Sequence, residues 1–185
     1  MKGINQFESY KKLRERRYFH ALNPELLTSN CPEENKAIVL NYIDEGFDVN
    51  VRGTDTDKGY YPLEAFFSDF YYLPRKNGET MFIPPNVVSF VVDNLILAGI
   101  DPNLSERGLG ALFYATWHLS WDPCHYESIK KMILYGYDMN TYLPDKEQTI
   151  NEWVNMLKNP VGYVDKLNKW NDLREELKEL DYDTE

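Results

Sequence analysis

The pattern Gly-apolar-Asp-x-Asn is written three times in this chain, in EGFDVN at 45–50, AGIDPN at 98–103 and YGYDMN at 135–140, each time after an apolar run. A repeat of this kind limits the fold more than composition does, because it marks a helix end and the way the chain leaves it. Aligned on Gly46, Gly99 and Gly136, the positions three before hold Ile43, Ile96 and Ile133. Those four before hold Tyr42, Leu95 and Met132, and those seven before hold Val39, Val92 and Ile129. Offsets of three, four and seven share one face of an α-helix, so each run reads as a short amphipathic helix with the same core stripe. Burying such a stripe contributes on the order of 1.5–3 kcal/mol per large side chain, which docks a helix too short to stand alone.

Each glycine follows the last helical residue, where the chain turns into left-handed backbone and a bare Cα avoids the steric cost. Phe47, Ile100 or Tyr137 comes next, placed to fold back on the helix just left. Asp48, Asp101 and Asp138, with Asn50, Asn103 and Asn140, read as structural residues that hold a tight turn by bonding nearby backbone. Further on, GYYPLEAF from Gly59 and GLGALFYA from Gly108 both set a leucine four residues after the glycine (Leu63, Leu112), then Phe66 or Ala115 three later. Pro62 falls in the first turn of that second helix, where proline is tolerated. Each unit is therefore helix, glycine-capped turn, extended loop and second helix.

In these residues the chain resembles the ankyrin-repeat family, whose unit closes its outer helix with Gly-Ala-Asp-x-Asn and opens the next inner helix with Gly-x-Thr-Pro-Leu-His-x-Ala. YIDEGFDVN, LILAGIDPN and MILYGYDMN carry the first signature. GYYPLEAF keeps Gly59, Pro62 and Leu63 of the second, with Glu64 in place of the histidine. GLGALFYA keeps Gly108, Leu112 and Ala115 without the Thr and Pro, and TINEWVNML lacks the signature. The glycine-to-glycine distances, 53 and 37 residues, exceed the family repeat of about 33. The longer one points to an insertion near 73–86, where Pro74, Asn77-Gly78 and Pro84-Pro85 mark turns.

The resemblance implies an all-α fold, a short ankyrin-like helical solenoid of about three to four divergent repeats with capping helices at both ends. The expected organisation is a single domain over 1–185, with capping helices at 1–31 and repeats at 32–157. At 158–185 come an amphipathic capping helix and a frayed tail. Val164, Leu167, Trp170, Leu173, Leu177 and Leu180 supply that last helix with an apolar stripe at spacings of three and four.

With 185 residues and 43% hydrophobic composition, the chain is long enough to bury roughly 70% of its unfolded surface. Its formal net charge of −10 argues against wholesale phosphate-backbone binding. The charge is uneven: Lys2, Lys11, Lys12, Arg14, Arg16 and Arg17 stand against Glu8 and Glu15 in residues 1–20, a balance of +4, which leaves −14 for the rest. Such a basic segment is a solvated helix face or a docking arm. The aromatic share, 15%, fills cores first, although Tyr and Trp also dominate binding hot spots. Two cysteines, Cys31 and Cys124, no signal-like stretch and no apolar run of about 18 residues point to a reduced, cytoplasmic setting without membrane insertion.

Chemistry-bearing motifs are sparse. The glycines stand singly, without a phosphate loop, a dinucleotide fingerprint or a nucleophile elbow. HLSWDPCH gathers His118, Asp122, Cys124 and His125, yet adjacent Cys124 and His125 project apart and no other cluster offers a fourth zinc ligand. It reads instead as the end of one helix carrying Trp117 and Trp121, followed by Asp122 as N-cap and Pro123 at the first position of the next. Asp55 and Asp57 lack the glycine and bidentate glutamate of a calcium loop. No metal and no cofactor is expected.

The resemblance implies non-catalytic protein recognition through the loops between units and the inner helices. Mapped on this sequence, the loop positions are Arg52, Asp55, Asp57 and Lys58, then Glu106 and Arg107. The inner-helix positions are Tyr60, Phe67, Tyr71, Trp117 and Trp121, about half of them expected to be buried. The expected partner is another protein, one with a basic surface, in an immunity or effector-type role. An acidic mimic of nucleic acid that inhibits a nucleic-acid-binding protein is the alternative, and an enzyme using Cys124 and a histidine a more remote one.

Overall fold

The computed structural model describes residues 2–28, 32–53, 60–69, 84–105, 110–118, 123–156 and 164–180. They form α1 (Lys2–Ala21), α2 (Pro24–Leu27), α3 (Pro32–Asp44), α4 (Pro62–Asp69), α5 (Pro85–Leu97) and α6 (Gly110–His118). After these come α7 (Pro123–Tyr135), β1 (Tyr142–Leu143), β2 (Gln148–Thr149), α8 (Ile150–Met156) and α9 (Val164–Glu179). The chain is mostly helical, as its periodicity predicts. The β1–β2 hairpin departs from the all-α expectation, and the insertion near 73–86 falls largely outside the described residues. Prolines open α2, α3, α4, α5 and α7, since the first helical position has a spare N–H and a φ that proline already holds.

The repeated turns share one construction. Gly46, Gly99 and Gly136 have φ of +70°, +82° and +123°. Their N–H groups donate to the carbonyls of Ile43, Ile96 and Ile133 at 2.9, 3.0 and 2.9 Å. The next N–H groups, of Phe47, Ile100 and Tyr137, reach back to Tyr42, Leu95 and Met132 at 2.9, 3.0 and 3.1 Å. This pair of bonds is the Schellman closure, which satisfies carbonyls a helix end otherwise leaves open. The aspartates then accept from the backbone two residues on: Asp48 Oδ1 from Asn50, Asp101 Oδ1 from Asn103, and Asp138 Oδ1 from Asn140, at 2.9, 2.9 and 2.8 Å.

Asn50 does more than brace its own turn. Its Oδ1 accepts the N–H of Asp101 at 2.7 Å and its Nδ2 donates to the Gly99 carbonyl at 3.2 Å, so the first turn is stapled to the second. Helix packing follows the same offset: α4 lies against α6 and α5 against α7, with α4 also touching α5 and α6 touching α7. Phe113 of α6 meets Trp153 of α8 edge-on at 5.2 Å, and Lys36 of α3 lies over the Phe90 ring of α5 at 5.6 Å. Helices α4, α5, α6 and α7 thus pack as one group, with α3 reaching it at α5 and α8 at α6.

The aligned stripe faces the core between them. Val39, Val92, Ile129, Leu95, Met132 and Ile133 are fully buried, and Tyr42, Ile43 and Ile96 pack against them in part. Among the aromatic side chains, Tyr18, Phe66, Phe67, Phe113, Tyr137 and Trp170 are buried, and Phe19, Phe47, Phe90, Tyr114 and Tyr126 pack against the core in part. At the start, α1 and α2 pack on α3. At the end, α9 buries Trp170, Leu173 and Leu177, and the Trp170 indole N–H donates to Asn151 Oδ1 of α8 at 3.0 Å. Leu180, expected on that stripe, stands exposed beyond the helix.

Glu176 ties α9 to α7 by accepting from Lys130 and from the Tyr126 hydroxyl. The Lys130 bond, then the Tyr126 bond, holds the Glu176 carboxyl below its ordinary value, and the same Glu176 bond raises Lys130. A depressed carboxyl stabilises above its unfolded value, about pH 4.3, and loses that contribution as pH falls through the folded value. The melting-temperature gap between wild type and Glu176→Gln, present at neutral pH, is therefore expected to close below about pH 4 in a series of thermal melts. At Gly99 an added Cβ meets nothing within 4 Å, so Gly99→Ala carries backbone strain alone. It should lower unfolding free energy by about 1–2 kcal/mol in urea titration.

Candidate functional site

The first two loops that follow the turns leave from bases fixed to one another. The first loop is closed by the Gly53 N–H donating to the Tyr60 carbonyl at 3.0 Å. Gly53 is buried with no space beside it: an added Cβ would sit 3.1 Å from the Phe19 ring. Arg52 is exposed at this base, whereas Asp55, Asp57 and Lys58 lie outside the described residues.

A buried carboxylate joins this base to the second loop. Glu64, in the first turn of α4, is 1% exposed. Its Oε2 accepts the Tyr61 N–H at 3.3 Å and its Oε1 accepts the Ser105 hydroxyl at 3.0 Å. Ser105 Oγ in turn accepts the Gly110 N–H at 3.0 Å. One side chain thus holds the end of the first loop and, through Ser105, both ends of the second. A cavity of about 10 Å³ adjoins it, bounded by Asn50, Leu104 and Tyr137 among others, room for about one water. Burial first, then the nearby Tyr135, Glu64 and Asp101, pushes the Tyr137 hydroxyl far above its usual range. It therefore stays neutral beside Glu64.

The third loop is formed throughout. β1 and β2 pair antiparallel with Tyr142 opposite Thr149 and Leu143 opposite Gln148. A 3-10 turn at Pro144–Lys146 and Glu147 at φ 54° close the tip. Its base is held by the N–H groups of Ile150 and Asn151 donating to the carbonyls of Thr141 and Met139. Helix α8 then starts on a capping box: Thr149 Oγ1 accepts the Glu152 N–H at 3.1 Å, and Glu152 Oε2 accepts the Thr149 N–H at 2.7 Å.

The expected contact residues divide accordingly. Phe67 is completely buried and Tyr60 nearly so, its ring edge-on to Tyr114 at 5.8 Å. Phe67 lies in α4, which is covered from Pro62 through Ser68, and Tyr60 lies just before that helix. Tyr71, Glu106, Arg107 and Trp121 lie outside the described residues, and of Trp117 the helix position in α6 is described but not the side chain. Tyr142 was missed: it stands 56% exposed on the third loop. The Thr-x-x-Glu at 149–152 was the signal that a helix, and hence a preceding loop, occurs here.

Neither the Asp122 position nor the side chains of His118, Cys124 and His125 are among the described residues. Among those that are, no group of three or more metal-ligating side chains converges, and no helix is long and apolar enough to cross a membrane. Comparison with known proteins gives no match to a protein-family model, a curated protein or a solved structure.

Removing Glu64 tests the joint between the loops. Glu64→Ala leaves the partly buried Tyr61 N–H and Ser105 hydroxyl without this acceptor, expected to cost about 1–2 kcal/mol in urea unfolding. Amide exchange should speed up at Tyr61 and Gly110 together, whereas an effect confined to Tyr61 would mean the two bases are independent.

Proposed function

We propose that the chain is a non-catalytic protein-interaction module whose helices form a short ankyrin-like stack. It binds a partner protein with a basic surface through the loops that leave the three turns. The observation that carries this reading is the identical construction of those turns, with Asn50 bonding across to Gly99 and Asp101. Turns built alike, the first two stapled to one another by Asn50, favour loops that leave in register, which suits a surface assembled from loop tips on a rigid scaffold.

The contact set comprises Arg52, Asp55, Asp57 and Lys58 of the first loop, Glu106 and Arg107 of the second, and Tyr142 of the third. Trp117 on α6 supplies an inner-helix contact. Tyr142 fits the part of an anchor, since tyrosine offers a large amphipathic area with few rotatable bonds. The acidic balance of the chain outside residues 1–20 speeds encounter with a basic partner and disfavours acidic ones. An immunity or effector-type role, in which one protein neutralises another, is the setting this format suits.

The test is capture by the tagged chain from nuclease-treated native lysate. Wild type should retain a near-stoichiometric protein. A variant reversing the charges of Arg52, Asp55, Asp57, Lys58, Glu106 and Arg107, with Trp117→Ala, should bind that protein about tenfold more weakly or worse, with an unchanged urea midpoint. Undiminished capture by the variant, or a catch that disappears with nuclease, would overturn the reading.

A further inference from the structure

The basic N-terminal helix and α3 run side by side and leave a groove of about 450 Å³ between them. Its apolar lining includes Leu13 and Ile38, 46% and 40% exposed, and Tyr42, whose ring is half-buried. The α1 positions span Leu13 to Ala21 and the α3 positions Asn35 to Glu45, or about 12 and 15 Å of helix at 1.5 Å per residue. Two parallel side-chain rows of that length bracket two to three turns of a third helix (about 5.4 Å each), the geometry of helix-in-groove recognition.

Charge chooses the occupant. Arg14, Arg17 and His20 line the groove, and among the described lining residues Glu45 is the single carboxylate. Arg14 uses it: the two form an ion pair, and the Arg14 guanidinium lies over the Tyr42 ring at 5.4 Å and the Phe47 ring at 5.8 Å. Arg17 and His20 are exposed and make no ion pair with any described residue. The groove therefore offers an apolar floor with unanswered donors along α1. A second copy of the chain is a poor occupant, because two bodies of formal charge −10 repel one another.

We infer that the α1–α3 groove is a second binding site, for an acidic amphipathic helix of a partner protein. The occupant's apolar side chains lie over Leu13, Ile38 and Tyr42, and its carboxylates face Arg17 and His20. This surface lies on α1 and α3 instead of on the loops, and cations outnumber carboxylates along it, whereas the loop contact set of Arg52, Asp55, Asp57, Lys58, Glu106 and Arg107 is balanced in charge, so the two sites recognise different chemistries.

The probe is a fluorescent peptide of about 15 residues, Leu at helical spacing with Glu between, beside a matched peptide with Lys at every Glu. Fluorescence anisotropy with the full chain should show the Glu peptide binding and the Lys peptide not. Arg17→Glu should weaken the Glu peptide about tenfold and strengthen the Lys peptide. Ile38→Asp should abolish binding. Both changes are at exposed positions, so an unchanged urea midpoint is expected to accompany them. The loop-reversal variant should bind the Glu peptide as wild type does, which separates failure here from failure of the loop face. Equal affinity for both peptides, no binding of the Glu peptide, or indifference to Arg17→Glu would overturn the assignment. So would sedimentation showing wild-type dimers that Ile38→Asp dissolves, because a second copy would then be the occupant.

Discussion

The left-handed exit from α3, α5 and α7 is the constraint on which the other features rest. Each of these helices has 13 residues, and α4, α6 and α8 have 8, 9 and 7. Helices of that size, below or near about 12–15 residues, do not hold together alone in water. They persist because each buries one face against its neighbours, or in α4 every described side chain, and the faces meet only if successive helices end in the same way. A glycine at positive φ sets that ending within two residues. It folds Ile100 and Tyr137 back into the core and leaves the following Asp to organise the turn. Asn50 then converts two equal turns into one continuous edge, and that edge is where the loops begin.

What could be read in the sequence was what is encoded locally. Gly46, Gly99 and Gly136 declared the helix ends, Pro62 and Pro123 declared helix starts, and the offsets three, four and seven picked out Val39, Val92 and Ile129 as core. The β1–β2 hairpin escaped because its strands are two residues each, with Pro144 beside them, too short for any alternation to show. Phe67 and Tyr60 enter the expected contact set through the resemblance, which marks helix positions but not which side chains face outward; in PLEAFFS even Glu64 and Ser68 are buried, so the helix is enclosed and its pattern gives no outward direction. Glu64 was legible as a substitution in a motif but not as a joint, because its partner Ser105 lies 41 residues away. Long-range pairing of buried polar groups leaves no local signal.

The charge distribution shows the same division. Counted over the chain, the balance says only that the protein is acidic; counted by segment, it isolates α1 as basic. What the segment count does not reveal is how the fold uses those cations. Arg14 is drawn down onto Tyr42 and Phe47 and answered by Glu45, a guanidinium stacked on aromatic faces where its apolar surface is covered. Arg17, one position short of a full turn further along α1, keeps its charge at the groove.

Rigidity under that groove follows from the core beneath it. Tyr18 is fully buried and its ring meets Tyr42 at 5.7 Å and Phe47 at 4.9 Å. Its hydroxyl finds no hydrogen-bond partner among the described residues, and burial, with the Asp48 charge adding to it, pushes it far above its ordinary value. A neutral, unsatisfied hydroxyl in an aromatic cluster is a local cost, tolerated because the rings on either side pack well. Those rings fix Tyr42 from below while Arg14 covers it from the side. A floor held in this manner has little rotamer freedom left to lose, so an incoming helix would spend less of its interaction energy on ordering the surface it meets. The same packing that joins α1 to α3 thus prepares the groove between them.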